Sequence, residues 1–288
     1  MAIIAVAGGS GSVGRTIVDG LVAHGGHNVF VLSRTKREPQ NGVHYVAVNY
    51  GDVDETSKVL EENQIDTVIS AMGVVTPSTN KAQINLVKAA QRSSSTRRFV
   101  YAFEAIDELE QTNLEYTRVV NGFFLDYYGM PHYKTHLQPW INFINLEKKW
   151  AVIPGDGSAK ANFITSQDMA KYIARLMDLS NWSKVSSIVA ETLSISELLA
   201  LAEETRGSGF RVAHDELETL KSGRISFASE FPEFDLSREE SEALFAKVHY
   251  YAGIGRFLVP AEDTLNSKFP DIITKTAAQV IKESWEGN

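Results

Sequence analysis

The chain has 288 residues, with 28 Lys plus Arg against 36 Asp plus Glu, a formal net charge of −8 and no cysteine. That excludes disulfide frameworks, Cys-ligated zinc or iron–sulfur sites, thiol nucleophiles and thiol redox switches. Its 43% hydrophobic and 22% charged residues are those of a globular protein, and no run of basic residues is longer than two, so nucleic acid is not an expected partner.

The first residues, Met1-Ala2-Ile3-Ile4, carry no positively charged leader. No apolar stretch approaches the roughly 20 residues needed to cross a bilayer. A soluble, cytoplasmic protein with no membrane partner is expected, of a length suited to about two domains or one α/β domain with a substrate lobe.

In chain order, β-branched runs at 3–7, 28–32, 44–48, 67–70, 99–101 and 116–120 predict strands. Amphipathic stretches at 12–24, 55–63 and 80–91 predict the helices between them. The strands are nearly continuous apolar runs, as expected when helices cover both faces of a parallel sheet. After 120 the rhythm changes to an aromatic-rich segment, 123–140, then a strand at 150–153 and the turn Pro154-Gly155-Asp156-Gly157. Thr165-Ser166-Gln167-Asp168 and Ser194-Ile195-Ser196-Glu197 have capping-box spacing, so Asp168 reads as a helix-start carboxylate. Further helices are expected at 215–221, 238–250 and 271–285.

Gly8-Gly9-Ser10-Gly11-Ser12-Val13-Gly14 follows the first strand and opens the first helix. Side chains at Gly8, Gly9 and Gly11 would block the approach of backbone N–H groups to a pyrophosphate, and Gly14 lets the helix pack against the sheet. With a strand before it, a helix after it and more βα units behind it, this reads as a dinucleotide-binding turn. The second strand ends Ser33-Arg34-Thr35-Lys36, with no carboxylate to accept from ribose hydroxyls. Arg34 can make a bidentate, charge-assisted contact to a 2′-phosphate, supported by Ser33, Thr35 or Lys36. NADP(H) is the expected cofactor, ahead of NAD(H).

These residues, together with Ser70-Ala71-Met72-Gly73, Asn121-Gly122-Phe123-Phe124-Leu125-Asp126-Tyr127-Tyr128-Gly129, the turn at 153–157, Asp168 and Lys268-Phe269-Pro270-Asp271, resemble the NmrA-like and isoflavone-reductase-like branch of the atypical short-chain dehydrogenases, fungal members in particular. The resemblance implies a Rossmann-type, doubly wound α/β domain over residues 1–122, with about 150–192 returning to it, and a smaller substrate-binding lobe over 123–288. It implies that Ala71, Met72 and Gly73 run beside the cofactor, and that Asn121, Phe123 and Phe124 border the nicotinamide and substrate.

Hydride transfer to a carbonyl or conjugated alkene leaves an oxyanion or enolate that needs a proton. The Tyr-x-x-x-Lys pair of ordinary short-chain dehydrogenases does not occur. The lysine that isoflavone-type reductases carry after the fifth strand is also absent, because that segment reads Arg98-Phe99-Val100-Tyr101-Ala102-Phe103-Glu104-Ala105-Ile106-Asp107. Candidate donors are Tyr127, Tyr128, His132, Tyr133, Lys134 and His136. Tyr128, His132, Tyr133 and Lys134 are taken as the catalytic set, while Glu104, Phe124, Tyr127 and Trp140 are assigned to substrate. His132 and His136 have the spacing of two ligands on a helix but lack an adjacent Glu and an evident third ligand, so no metal is expected.

Three functional readings follow. The first is an NADPH-dependent reductase of a small apolar, aromatic or polyketide-like molecule. The second is a non-catalytic NADP(H) sensor with a protein partner. The third is an isomerase, epimerase or cyclase that retains its cofactor.

Overall fold

The structure, a computed structural model, describes residues 1–73, 76–140, 143–232, 236–259 and 262–287. The elements run β1 (Ile3–Ala7), α1 (Ser12–His24), β2 (Asn28–Ser33), β3 (Val43–Ala47), α2 (Val53–Glu62), β4 (Thr67–Ser70), α3 (Pro77–Arg92), β5 (Arg98–Tyr101), α4 (Ile106–Leu109) and β6 (Glu115–Val120). They continue β7 (Phe123–Phe124), α5 (Asp126–Gly129), β8 (Ile144–Asn145), β9 (Trp150–Pro154), β10 (Lys160–Ile164), α6 (Ser166–Leu176), β11 (Val185–Ser187), β12 (Glu191–Ser194) and α7 (Ile195–Arg206). The chain ends with β13 (Arg211–Asp215), α8 (Leu217–Lys221), α9 (Arg238–Gly253), α10 (Leu265–Lys268) and α11 (Ala277–Trp285).

Two compact units result. Met1–Val120, Gln167–Ile188 and Asp263–Ile272 form the first; Asn121–Ser166, Val189–Glu262 and Ile273–Asn288 form the second.

The first unit is built on a seven-stranded sheet in the order β11-β6-β5-β4-β1-β2-β3. Every pairing in it is parallel. β1 and β4 are buried along nearly their whole length, which is why their sequences are apolar without alternation. The chain moves outward from β1 through β2 and β3, then returns to the other side of β1 with β4. This Rossmann order opens a crevice beyond the carboxyl ends of β1 and β4. The six strands expected between 3 and 120 are all present, each within one residue of its expected bounds.

Differences from the expected helices trace to capping. α3 begins at Pro77 rather than 80 because the Thr76 side chain accepts from Thr79 N–H, Thr79 reciprocates, and Pro77 sits in the first turn. α11 begins at Ala277 rather than 271, fixed by a capping box between Thr276 and Gln279. The box expected at Ser194 and Glu197 does start α7. Asp168 lies buried in the first turn of α6, and its carboxylate pairs with Lys171 at 2.6 Å.

The second unit contains two three-stranded sheets, β12-β10-β7 and β13-β9-β8. Its core joins Phe143, Phe163, Leu198, Val280, Ile281 and Trp285. A second cluster sets Trp150, Phe231 and Phe245 against α8 and α9.

His249, on α9, is fully buried, edge-on to Phe143 at 4.7 Å. Its Nδ1–H donates to the Phe245 carbonyl at 2.8 Å, and its Nε2 is buried with no hydrogen-bond partner among the described residues. Burial therefore pushes its pKa down to about 4, opposed by the Phe245 carbonyl and the Asp215 charge. Below pH 6.5 the unfolded chain binds a proton here that the folded chain refuses until about pH 4. Folding should thus lose about 3 kcal/mol as pH falls across that window. Urea unfolding at pH 7 and pH 4.5 should show His249→Phe retaining more of its pH 7 stability than the wild type. Equal losses would remove His249 as the cause.

Candidate active site

In the first unit, the turn between β1 and α1 is held by its own backbone. Gly11 N–H donates to the Gly8 carbonyl at 2.9 Å, and Gly9 N–H to Val6 at 3.3 Å. Gly8 has φ +77, and a Cβ there would lie 2.6 Å from the Ala71 carbonyl oxygen, so the exits of β1 and β4 touch through backbone. Gly11 caps α1 and brings no side chain to satisfy the helix's first amides. Ser10 and Gly11 are exposed, Ser12 and Val13 half-buried. A helix N-terminus whose amides are left for an anion is the arrangement a pyrophosphate requires.

At the end of β2, Ser33 is buried and its hydroxyl donates to the Thr35 carbonyl, which makes it a brace for the turn. Arg34, Thr35 and Lys36 are exposed. Among the described residues no carboxylate pairs with Arg34 or Lys36, so their charge is available to a 2′-phosphate. Sequence reasoning missed Tyr50, whose hydroxyl donates to the Leu32 carbonyl at 3.1 Å. Burial raises its pKa, opposed by the Arg34 charge and the Gly8 amide, so Tyr50 sits beside both the basic turn and the glycine turn. Its only sequence signal was its place just past β3, the strand that pairs with β2.

Ala71 is tied to β1 by its N–H to the Ala7 carbonyl at 2.9 Å, while Met72 is half-buried and Gly73 exposed. Among the described residues, a Cβ added at Gly73 would meet nothing within 4 Å. Below this stretch the Ser70 hydroxyl donates to Gln83 Oε1 at 2.7 Å, and Gln83 Nε2 donates to the Phe103 carbonyl at 2.5 Å. One amide side chain thus locks the exits of β4 and β5 together. Glu104 has φ 45, is exposed, and accepts from Asn80 Nδ2 at 3.1 Å.

In the second unit, Asn121 and Gly122 lead into β7. Gly122 has φ +74, and its missing Cβ would be 2.2 Å from the Asn162 carbonyl oxygen. Phe123 packs on Phe257 at 4.3 Å, Phe143 at 5.0 Å and Phe163 at 5.9 Å. Phe124 meets Tyr127 at 6.5 Å, and both are half-buried. α5 is anchored by Asp126, fully buried, which accepts from Ser166 N–H at 2.7 Å, Ser166 Oγ at 2.5 Å and Thr135 Oγ1 at 2.7 Å. Burial, then the adjacent Asp126 charge, pushes the Tyr127 phenol up to about 12. That phenol is a neutral proton donor at any ordinary pH.

The other expected donors are differently placed. Tyr128 is 1% exposed, packed edge-on to Phe163, with its carbonyl accepting from Trp285 Nε1 at 2.8 Å. It belongs to the core, because the short α5 turns that side inward. His132 is exposed and edge-on to Trp285 at 4.8 Å; Lys134 is exposed. Tyr133 lies under the Lys275 ammonium, 5.4 Å from the ring centre. Trp140 packs on Phe245 at 5.4 Å.

Among the described residues, no helix is long and apolar enough to cross a membrane. Residues 8–128 match a family model described as NAD(P)H-binding. The chain is 32% identical to oxidoreductase swnN of Metarhizium robertsii over 78% of its length and 80% of that protein. It is 36% identical to oxidoreductase BOA1 of Botryotinia fuckeliana, over 72% of this chain and 77% of that one. A solved structure titled AtPrR2 with NADP+ and (+)pinoresinol superposes with a TM-score of 0.74 at 20% identity, covering 98% of both chains. The glycine turn, the doubly wound sheet and these relatives together place the chain in one family with the fungal oxidoreductases swnN and BOA1, and it is an NAD(P)H-binding oxidoreductase.

Proposed function

We propose that this reductase uses NADPH to deliver hydride to a small apolar, aromatic or polyketide-like carbonyl or enone, with Tyr127 returning the proton. The observation that carries the reading is the half-buried aromatic stretch Phe123, Phe124 and Tyr127, in which a neutral phenol is the polar group. Rings offer broad apolar contact, and the phenol supplies the one polar handle such a ligand needs. Gly8 to Gly14 would hold the pyrophosphate, Arg34 with Thr35 and Lys36 the 2′-phosphate, and Ala71 to Gly73 the cofactor's flank. NADPH supplies the hydride when bound. The swnN and BOA1 relatives are fungal oxidoreductases, which agrees with a role in secondary metabolism.

The test is turnover of a panel of phenolic enones and aromatic ketones with NADPH and with NADH. Oxidation of NADPH by apolar acceptors is expected. Failure to bind NADPH, or turnover confined to polar sugar-like acceptors, overturns the reading. Arg34→Ala should weaken NADPH binding by about 10- to 100-fold, the equivalent of a charge-assisted contact worth about 1.5–3 kcal/mol, and leave NADH binding nearly unchanged. An equal loss for both dinucleotides would deny Arg34 the 2′-phosphate.

A further inference from the structure

At the amino ends of the strands, across the first unit's sheet from the glycine turn, a second set of chemically competent side chains converges. His24 closes α1, His27 precedes β2 after Gly25-Gly26, and Asp178 lies two residues beyond α6. Their ligand atoms all lie within 4.8 Å of one another. His24 Nε2 is 3.0 Å from Asp178 Oδ2, and His27 Nε2 is 3.3 Å from Asp178 Oδ1. Around a tetrahedral zinc ion with bonds of about 2.0–2.1 Å, neighbouring donors stand about 3.3 Å apart. The two His–Asp178 separations match that spacing, and the set as a whole lies within 4.8 Å.

A second observation points to a ligand. The His27 side chain is 6% exposed, and its Nε2 is buried without a hydrogen-bond partner among the described residues, the Asp178 contact being one of distance only. Leaving a buried ring nitrogen so is costly unless something binds it. Asp178 is 43% exposed, and His27 and Asp178 line an open cavity of about 890 Å³ that also includes Ala2, Asp66, Arg98 and Glu115. Further coordination positions would be open to water or to a small anionic ligand. The neighbouring cation, Arg175, stands 3.8 Å from Asp178 but gives its 2.6 Å contact to Asp271.

We propose that His24, His27 and Asp178 form a site for a divalent first-row transition ion, with zinc the best match to two imidazoles and one carboxylate. The ion would clasp the α1–β2 corner to the end of α6. His27 Nδ1 accepts from Ala2 N–H at 3.3 Å, so in the metal-free ring the proton is on Nε2. Zinc at Nε2 moves that proton to Nδ1 and opens the long Ala2 contact.

The experiment is titration of untagged, NADPH-saturated protein with zinc chloride at pH 7.5. One zinc per chain is expected, with a rise in Tm and a shift of the Ala2 amide resonance. Cobalt(II) at the same stoichiometry should give visible d–d absorption. His24→Gln and Asp178→Asn, which alter partly exposed side chains, should each weaken zinc binding by at least the 10- to 100-fold that loss of even an outer-shell partner costs, with NADPH affinity unchanged as the check on folding. Absence of saturable binding, or equal affinity in wild type and both variants, overturns the site.

Discussion

Replacing Tyr127 by phenylalanine is expected to lower kcat by about 10²- to 10⁴-fold, the range removed with a positioned general acid, while NADPH affinity stays within twofold. The reasoning starts from the absent Tyr-x-x-x-Lys pair and the absent family lysine, which leave the oxyanion without its usual donor. Tyr128 is in the core, His132 stacks edge-on against Trp285, and Lys134 is exposed. Tyr127 is half-buried beside Phe124, with a phenol whose pKa is pushed up to about 12, mainly by burial and then by Asp126. A raised pKa keeps the donor form present as pH rises. Single-turnover rates should therefore remain level through pH 10, where an ordinary tyrosine begins to lose its proton. A fall centred near pH 10, or a Tyr127→Phe variant within threefold of wild type, would reject this donor.

Much of the first unit was legible because its signals are local. An apolar run buried on both faces, a glycine turn and an amphipathic helix follow one another, and each restricts the next. The second unit was harder. β10, Lys160-Ala161-Asn162-Phe163-Ile164, and β13, Arg211-Val212-Ala213-His214-Asp215, show no clean alternation, and they are strands because of partners about 30 to 60 residues away. Position-specific chemistry divided in the same way. Gly8 to Gly14 and Arg34 could be chosen by spacing alone. Tyr50 could not, since it reaches Arg34 and Gly8 only through the pairing of β2 with β3. Tyr128 and Tyr127 are adjacent and chemically identical in the sequence. Only the direction of α5, set by the buried Asp126 anchor, sends one into the core and leaves the other half-buried. His24 and His27 are separated by two glycines, but their carboxylate comes from residue 178, beyond the reach of any local motif.

Gly14→Ala is expected to abolish measurable NADPH binding and to lower Tm. A Cβ at this position would stand 2.1 Å from the Gly8 carbonyl oxygen, 2.7 Å from its carbon and 2.9 Å from Gly9 Cα. All three are backbone atoms, so no side chain can swing aside. Relief requires α1 to withdraw from the turn by more than about 1 Å, since ordinary Cβ contacts begin near 3.4 Å. That movement costs about 3 kcal/mol or more, the upper range for overpacking. It also carries the helix's first amides away from the position at which the turn would hold a pyrophosphate under the proposed function, so affinity and stability fall together. Gly73→Ala is the matched control for stability: its added Cβ meets nothing within 4 Å among the described residues, and its backbone is not in the left-handed region. The control should keep the wild-type Tm. Isothermal titration with NADPH and thermal unfolding of both variants decide the matter. A Gly14→Ala protein with wild-type affinity and Tm would mean that the turn can open without cost, and that the close helix–turn contact is not what holds the dinucleotide site.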